Sequence, residues 1–356
     1  MILINKKTRR LIGAFLSERI FLLTTMSLIA TSIILHRFPK YSLDDFKVLY
    51  TLFVFLVIVR GMTRSGIFRN LAQRISKGKF VPQKLVILTA ALSMTVTNDV
   101  AILVVVPLTI ALDIENRDLM VIIETLVANA SSFLTPFGNP QNMFIYYYYK
   151  LTPTEFLKVT YPISLITSFV ALLLSFLVKA KIRENSCKYK ISKKSSYIYA
   201  MLFVLFMLAV FKILPLWIGL IPLIYALIFD KKSLNIDYFL IATFFAFFGL
   251  TDNLSSMFKI SLNNSKNVFL LSALSSQVIS NVPSALLFAD FTRNWRALLL
   301  GVNVGGFGTL FGSMANLISY RLYTKSKETK GFLIKFHIYS FSFLALGIAL
   351  YFLIYK

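Results

Sequence analysis

Acid, sulfur and imidazole are all scarce in this chain. Asp and Glu together number 15 against 38 Lys and Arg, with one cysteine and two histidines. The lone Cys187 lies in a basic stretch, which excludes a disulfide framework. His36 and His337 are isolated in sequence. A membrane-embedded enzyme acting on lipid-linked substrates would need catalytic acids, His or Arg grouped at the membrane interface. No such constellation is written here, so the chain is expected not to be an enzyme and to have no catalytic residues. The apolar stretch 20–35 is preceded by Ser17-Glu18-Arg19 and lacks a small-residue cleavage site after it, so it reads as an uncleaved first span rather than a signal peptide.

What is abundant is apolar surface. The 356 residues are 57% hydrophobic and only 15% charged, with a mean hydropathy of +0.73. Many apolar runs approach the roughly 20 residues that a spanning helix needs. Membrane β-strands would instead alternate apolar and polar residues. The expected class is therefore an all-α polytopic membrane protein, with the lipid bilayer as its first partner. The net charge of +23 is read as the positive bias of cytoplasmic loops rather than as a nucleic-acid surface.

One stretch occurs twice. Residues 98–142 return as 281–316, each preceded by an apolar, serine- and threonine-bearing arm. At one fixed offset Asn129, Phe133 and Thr135 match Asn303, Phe307 and Thr309. Phe137, Gly138, Asn142 and Tyr146 then match Phe311, Gly312, Asn316 and Tyr320. A repeat of this kind governs the reading of the whole fold. Polar, helix-breaking residues inside otherwise apolar runs are also the best sequence pointer to a transport site.

Taken in order, the expected elements are spans at 20–35 and 48–62 and an apolar segment at 85–112 broken by Thr97-Asn98-Asp99. Next are a polar-interrupted span at 119–149 and a span at 159–178. Each arm of 85–112 is about 12 residues, or roughly 18 Å of helix, too short for a core of about 30 Å. A re-entrant hairpin puts the basic loop of Lys179, Lys181, Arg183, Lys188 and Lys190 inside, together with Arg69, Arg74 and Lys77. A full crossing would put it outside, so the charge rule favours the hairpin. Spans at 197–214, 216–229 and 238–258 come after it. They lead to a second hairpin at 268–291, broken at Ser280-Asn281, a broken span at 297–323, and a last span at 332–354. Lys259 and Lys266 fall outside, and Lys325, Lys327 and Lys330 inside. The expectation is one transmembrane domain, 1–356. It holds an inverted repeat at 20–179, a basic cytoplasmic linker at 180–196 and a second inverted repeat at 197–354. Each repeat has a re-entrant hairpin and a broken helix, with the N-terminus in the cytoplasm and the C-terminus outside.

Helix ends in hydrocarbon leave N–H and C=O groups that must be satisfied by something. Four such breaks are written, at 97–99, 138–142, 280–281 and 305–316. Pro140 forces Asn139 out of helical geometry and so places it to cap the half-helix that begins there. Gly305, Gly306, Gly308 and Gly312 let the second copy bend without proline. Half-helix N-termini offer N–H groups to an anion, while C-termini and amide oxygens suit a small cation. The competing reading of each break is structural: close packing at glycine and cross-helix bonds from Asn, Ser and Thr. Asp99 is the sharpest single residue, because an acid at the bilayer centre costs roughly 2.5–3.5 kcal/mol on insertion scales. It is a candidate proton or Na+ site. Glu124 is a weaker candidate, and Asp252 and Asp290 are expected to stand solvated near the outer boundary. Neither repeat has Lys or Arg in its apolar middle, so a bound anion would rely on helix dipoles and a co-bound cation.

Four motifs carry a resemblance: Thr97-Asn98-Asp99-Val100-Ala101, Gly138-Asn139-Pro140-Gln141-Asn142, Ser280-Asn281-Val282-Pro283, and the run from Gly301 through Asn303 to Thr309. Together they resemble the ion-transporter superfamily, which includes arsenite permeases, D-type Na+/H+ antiporters, citrate-transporter-like permeases and divalent-anion:Na+ symporters. The short citrate-transporter-like permeases are the nearest in kind. In the dicarboxylate branch both hairpin tips read Ser-Asn-Thr. Asn98 and Asn281 carry over, while Asp99 and Val282 stand where the final Thr would be. The resemblance implies a secondary transporter of the plasma (inner) membrane. It would move a small anionic solute, a carboxylate or inorganic oxyanion, with Na+ or H+ as coupling ion and no other cofactor. A Na+/H+ antiporter and an arsenite-type metalloid permease remain the alternatives. The implied solute and ion ligands are Thr97, Asn98, Asp99, Thr135, Gly138, Asn139, Gln141, Asn142, Ser280, Asn281, Thr309, Gly312, Ser313 and Asn316, with Na+ at Asn98, Asp99 and Asn281. Relatives also imply a homodimer.

Overall fold

A computed structural model describes residues 6–68, 70–71, 78–112, 114–179, 193–257, 262–324 and 331–355, with side chains before Phe21 and at 193–194 excepted. Cys187 and most of the linker 180–196 lie outside the described residues. So do Arg69, Arg74, Lys77, Lys259, Lys325, Lys327 and Lys330.

Among the described residues there are fifteen α-helices and no β-strand. They are α1 (Lys6–Leu35), α2 (Leu43–Ser65), α3 (Val81–Thr95), α4 (Asn98–Ala111), α5 (Arg117–Ser132), α6 (Pro140–Tyr148), α7 (Pro153–Leu174) and α8 (Lys193–Val210). After these come α9 (Leu220–Phe229), α10 (Tyr238–Met257), α11 (Ser265–Ile279), α12 (Asn281–Ala289), α13 (Trp295–Val304), α14 (Met314–Thr324) and α15 (Phe332–Ile354). Helices Leu43–Ser65, Pro153–Leu177, Tyr238–Met257 and Phe332–Ile354 are long and apolar enough to cross a membrane. A helix of 23 residues, as in α2 and α15, runs about 34 Å and covers the hydrocarbon core. The protein is an all-α polytopic membrane protein.

The arms at the breaks are short. Helix α3 has 15 residues and α4 has 14, about 22 and 21 Å, and neither could span alone. The break falls at Val96-Thr97, one residue ahead of the expected Thr97-Asn98-Asp99, and Asn98 and Asp99 already belong to α4. Several boundaries differ from expectation: α2 begins at Leu43 rather than near 48, and the first broken span is open at 133–139 rather than 138–142, with Gln141 and Asn142 inside α6. Helix α1 runs back to Lys6, because hydropathy marks only the apolar part of a helix whose hydrogen bonding continues through the basic segment. Helix α7 begins at Pro153 rather than near residue 159. Thr152 and Glu155 form a reciprocal capping box there, and Pro153 fills the first turn.

The chain divides into two compact units. One is Met1–Ser65, Ser192–Asn263 and Leu286–Arg293; the other is Gly66–Ile191, Asn264–Ala285 and Asn294–Lys356. Each draws on both halves of the sequence, so the division cuts across the 20–179 and 197–354 boundary.

The first unit is organised by α1 against α10 and α2 against α8. Gly61 lets Tyr199 lie flat on α2: a Cβ there would stand 2.0 Å from the Tyr199 ring. The Tyr199 hydroxyl donates to Asp230 (3.0 Å) and lies 2.8 Å from Ser233 Oγ, and Arg64 pairs with Asp230 at 3.3 Å. Asp252, expected in free solvent, is instead clamped by Arg37 and by the Lys40 N–H at 2.9 Å. Asn253 beside it donates to Thr31 and Ser32 on α1. Helix α1 ends at Leu35, and His36 takes a left-handed backbone (φ 49°) just before Arg37.

The second unit contains α3–α7, α11, α13–α15 and the first turns of α12. Helix α11 lies close on α13 because Gly301 and Gly305 present no side chain. A Cβ at Gly301 would meet Ser272 Oγ at 2.0 Å, and one at Gly305 would meet Ser276 Cβ at 2.7 Å.

Candidate functional site

All fourteen candidate residues fall in the second unit. The two hairpin tips are built alike. Thr97 sits at φ 147° and Ser280 at φ 76°, a region that side chains rarely enter. A β-branched threonine there is strained, and a backbone hydrogen bond at the next residue holds the strain in place. In each tip the first residue of the new half-helix donates its N–H to a glycine carbonyl in the broken helix of its own copy. Asn98 N reaches Gly138 O at 3.1 Å, and Asn281 N reaches Gly312 O at 3.1 Å.

The broken helices match in the same way. Gly138 N donates to Thr135 O (3.2 Å) and Gly312 N to Thr309 O (3.1 Å). Thr135 Oγ1 donates to Met94 O (2.6 Å), and Thr309 Oγ1 to Gln277 O (2.8 Å). Asn142 Nδ2 closes its loop on Ser132 O and Thr135 O, while Asn316 Nδ2 closes its loop on Gly306 O and Thr309 O. The glycines are required by contact. A Cβ on Gly138 would lie 2.2 Å from Ser132 O, and one on Gly312 would lie 2.7 Å from Gly305 O.

The copies also bind each other. Asn129 Nδ2 donates to Asn316 Oδ1 at 2.7 Å, and Asn303 Nδ2 donates to Asn142 Oδ1 at 2.7 Å. This is a reciprocal exchange, the pattern that two-fold related elements make. Phe133 and Phe307 pack between the copies with ring centroids 5.8 Å apart. Asn98 adds a third link, through Nδ2 to Asn129 Oδ1 (2.9 Å) and to Ser313 Oγ (3.3 Å). All six of these polar side chains are buried.

Asn139 departs from expectation. Its backbone is extended (φ −149°, ψ 152°) and it holds the N-cap position of α6, but its side chain makes no capping bond. Nδ2 goes instead to Ser132 Oγ (2.7 Å) and Asn303 Oδ1 (3.4 Å). Both bonds are donated by Nδ2, so neither takes up Oδ1, the atom that a cap would use. Asn139 Oδ1 is buried without a partner, as are both amide atoms of Gln141. Asp99 lies half-buried in the first turn of α4, its N–H taken by Asn98 Oδ1 at 2.9 Å. A carboxylate is favoured there by the helix dipole. Ser280 Oγ leans to Asn281 Oδ1 at 3.4 Å.

Three members were not singled out as ligands from sequence. Asn129 and Asn303 were visible as a matched pair, and the offset that aligned them was the available signal. Gln277 is new. Its Nε2 donates to Gly305 O (2.9 Å) and its Oε1 accepts from Thr309 N (2.9 Å). It therefore staples the second broken loop to its hairpin, where the first copy has only the Met94 carbonyl. A glutamine in an arm, 268–279, whose other polar residues are serines was the signal.

Four half-helices thus begin within one hydrogen-bonded cluster: α4 at Asn98, α6 at Pro140, α12 at Asn281 and α14 at Met314. Each N-terminus carries roughly half a positive charge. The bonds described above are made by amides, hydroxyls and backbone groups, with no Lys or Arg side chain among them. Among the described residues no group of three or more His, Cys, Asp or Glu could hold a metal ion. Oxygen ligands for a small cation would come from the tips and carbonyls named above.

A family model described as citrate transporter (CitMHS) matches residues 2–294 of the chain; the second broken helix lies beyond that match. The uncharacterized transporter MJ0456 of Methanocaldococcus jannaschii is 33% identical over 303 residues, 81% of this chain and 84% of that protein. The inner membrane protein YbiR of Escherichia coli is 31% identical over 324 residues, 83% of this chain and 84% of its own length.

Proposed function

The chain belongs to the citrate transporter family, and from that premise we propose that it is a secondary active transporter of a small anionic solute, a carboxylate or inorganic oxyanion. The observation that carries this reading is the gathering of four half-helix N-termini in one buried cluster. Preorganised N–H groups and aligned dipoles favour negative charge without a cationic side chain. The unpartnered amide of Gln141 and the Asn139 oxygen supply further polar contacts.

The coupling ion is Na+ or H+. Asp99, Asn98 and Asn281 at the hairpin tips are the Na+ ligands, and the remaining candidate residues frame the solute. The two copies are inserted oppositely into the plasma (inner) membrane, one hairpin from each face, and the N-terminus is cytoplasmic. The unit that holds all candidate residues is the part that carries the solute.

Uptake by purified protein in liposomes tests this. Citrate, succinate, sulfate and arsenite are offered with a Na+ gradient, a pH gradient or neither. Accumulation of an anion under one gradient is the expected result. Proton release on adding Na+ or Li+, with no solute moved, would replace the proposal with antiport. Arsenite uptake alone would replace it with a metalloid permease.

A further inference from the structure

Helix α5 buries one carboxyl that the solute site does not use. Glu124 has no exposed surface. Its Oε1 accepts a short hydrogen bond from Thr109 Oγ1 on α4, and its Oε2 is buried with no partner. Thr109 is itself unusual. The buried threonines Thr89, Thr125 and Thr167 return their hydroxyls to carbonyls four residues earlier in their own helices. Thr109 instead donates its hydroxyl proton across from α4 to α5.

The charged groups on the helices packed around α5 stand near helix ends. They are Lys84 on α3, Asp99 on α4, Arg117 and Asp118 at the start of α5, and Glu155 and Lys158 on α7. Arg296 on α13, Arg321 on α14 and Lys335 and His337 on α15 complete them, with the hydroxyls of Tyr161, Tyr320, Tyr323, Tyr339 and Tyr351. Among the described residues none of these bonds or pairs with Glu124; Asp118, for example, is taken by Lys335 at 2.5 Å.

A lone buried carboxylate with no countercharge is costly. It needs a positive partner that comes and goes, or a permanent one that the structure does not supply. A hard metal cation takes about six oxygen ligands. Among the described residues one side chain, the Thr109 hydroxyl, bonds the carboxyl, whereas a proton needs a single oxygen. Glu124 lies eight residues before the end of α5 at Ser132, about 12 Å along the helix from the broken loop. That places it about two turns of α5 away from the loop and outside the cluster itself.

We propose that Glu124 is a proton-binding site distinct from the hairpin tips, and that the proton it carries is moved with the solute. Oε2 takes up H+ from the water on one side and releases it as H+ on the other, with no other bond made or broken. This rests on the transporter reading above.

Two measurements test it separately from that reading. Infrared spectra of the purified protein at neutral pH should show the carbonyl stretch of a protonated carboxyl, absent in Glu124→Gln and retained in Asp99→Asn. Thr109→Val, which leaves the carboxyl in place, should shift the pH at which that band titrates. In liposomes, Glu124→Gln should reduce pH-gradient-driven citrate accumulation at least tenfold while citrate exchange at equal pH is unchanged. An identical band in Glu124→Gln, or accumulation equal to the unaltered protein, would overturn the proposal. If the unaltered protein moves no citrate in exchange, the choice of solute fails, and the infrared result still decides Glu124.

Discussion

Replacing Asn129 with leucine removes one amide from the exchange between the two copies and keeps the branching of the side chain. Asn129 is 2% exposed. Its loss leaves Asn316 Oδ1 without the 2.7 Å donor and Asn98 Nδ2 with Ser313 Oγ at 3.3 Å alone. A stranded buried polar group costs about 1–3 kcal/mol, so Asn129→Leu should destabilise the protein by about 2–5 kcal/mol. Asn316→Leu should cost a similar amount, since the Gly306 and Thr309 carbonyls lose its amide at 3.0 Å each. In the double variant the two leucines face each other, and neither partner of the 2.7 Å bond is left stranded. The pair should therefore be less damaging than the sum by about 1–2 kcal/mol, within the range seen for directly bonded residues. Denaturant titration in mixed micelles, followed by tyrosine and tryptophan fluorescence, measures all three. A loss below about 1 kcal/mol for either single variant, or strict additivity in the double, would refute the reciprocal exchange.

Two further outcomes rest on the geometry. Gly138→Ala sets a Cβ against the Ser132 backbone at 2.2 Å and should cost about 2–4 kcal/mol, combining overpacking with a lost Asn98 N–H bond; a melting temperature equal to that of the unaltered protein would contradict it. In the first unit, burial works to raise the Asp230 carboxyl. Hydrogen bonds from Ser233 and Tyr199 and the Arg64 guanidinium outweigh it and hold the group below its ordinary value. A depressed acid contributes stability above its unfolded value, about 3.9, and that contribution is lost as pH falls through the lower folded value. Melting temperature should therefore fall in that acid window, and Asp230→Asn should be less stable at neutral pH and show a smaller acid loss.

Much of this architecture was legible in the residue string. Asn and Gly inside apolar runs marked the four regions where helices stop, since backbone in hydrocarbon must find partners there, but the first two gaps, 96–97 and 133–139, open ahead of the residues named. The fixed offset that aligned Asn129 with Asn303 anticipated two equivalent loops. The choice of partner was not legible. That Asn129 bonds Asn316 and Asn142 bonds Asn303 depends on how the copies face each other, which no local pattern encodes. Asn139 shows the limit from the other side: Pro140 fixed its backbone as expected, but its side chain bonds through Nδ2 to Ser132 and Asn303, and its Oδ1 makes no cap. Asp252 likewise looked solvated, because its partner Arg37 is 215 residues away in sequence. Glu124 was visible as a weaker candidate, but its isolation from every countercharge among the described residues was not, because that depends on which helices pack around α5.

The claim beneath the transport reading is that the two hairpins enter the membrane from opposite faces. Single cysteines at Lys79, just before α3, and at Lys266, in the first turn of α11, report on this directly in a Cys187→Ser background. Both positions are exposed. With a membrane-impermeant maleimide on intact cells, the account predicts labelling at 266 and none at 79 until the membrane is permeabilised. Equal labelling of both positions from the same side would contradict it.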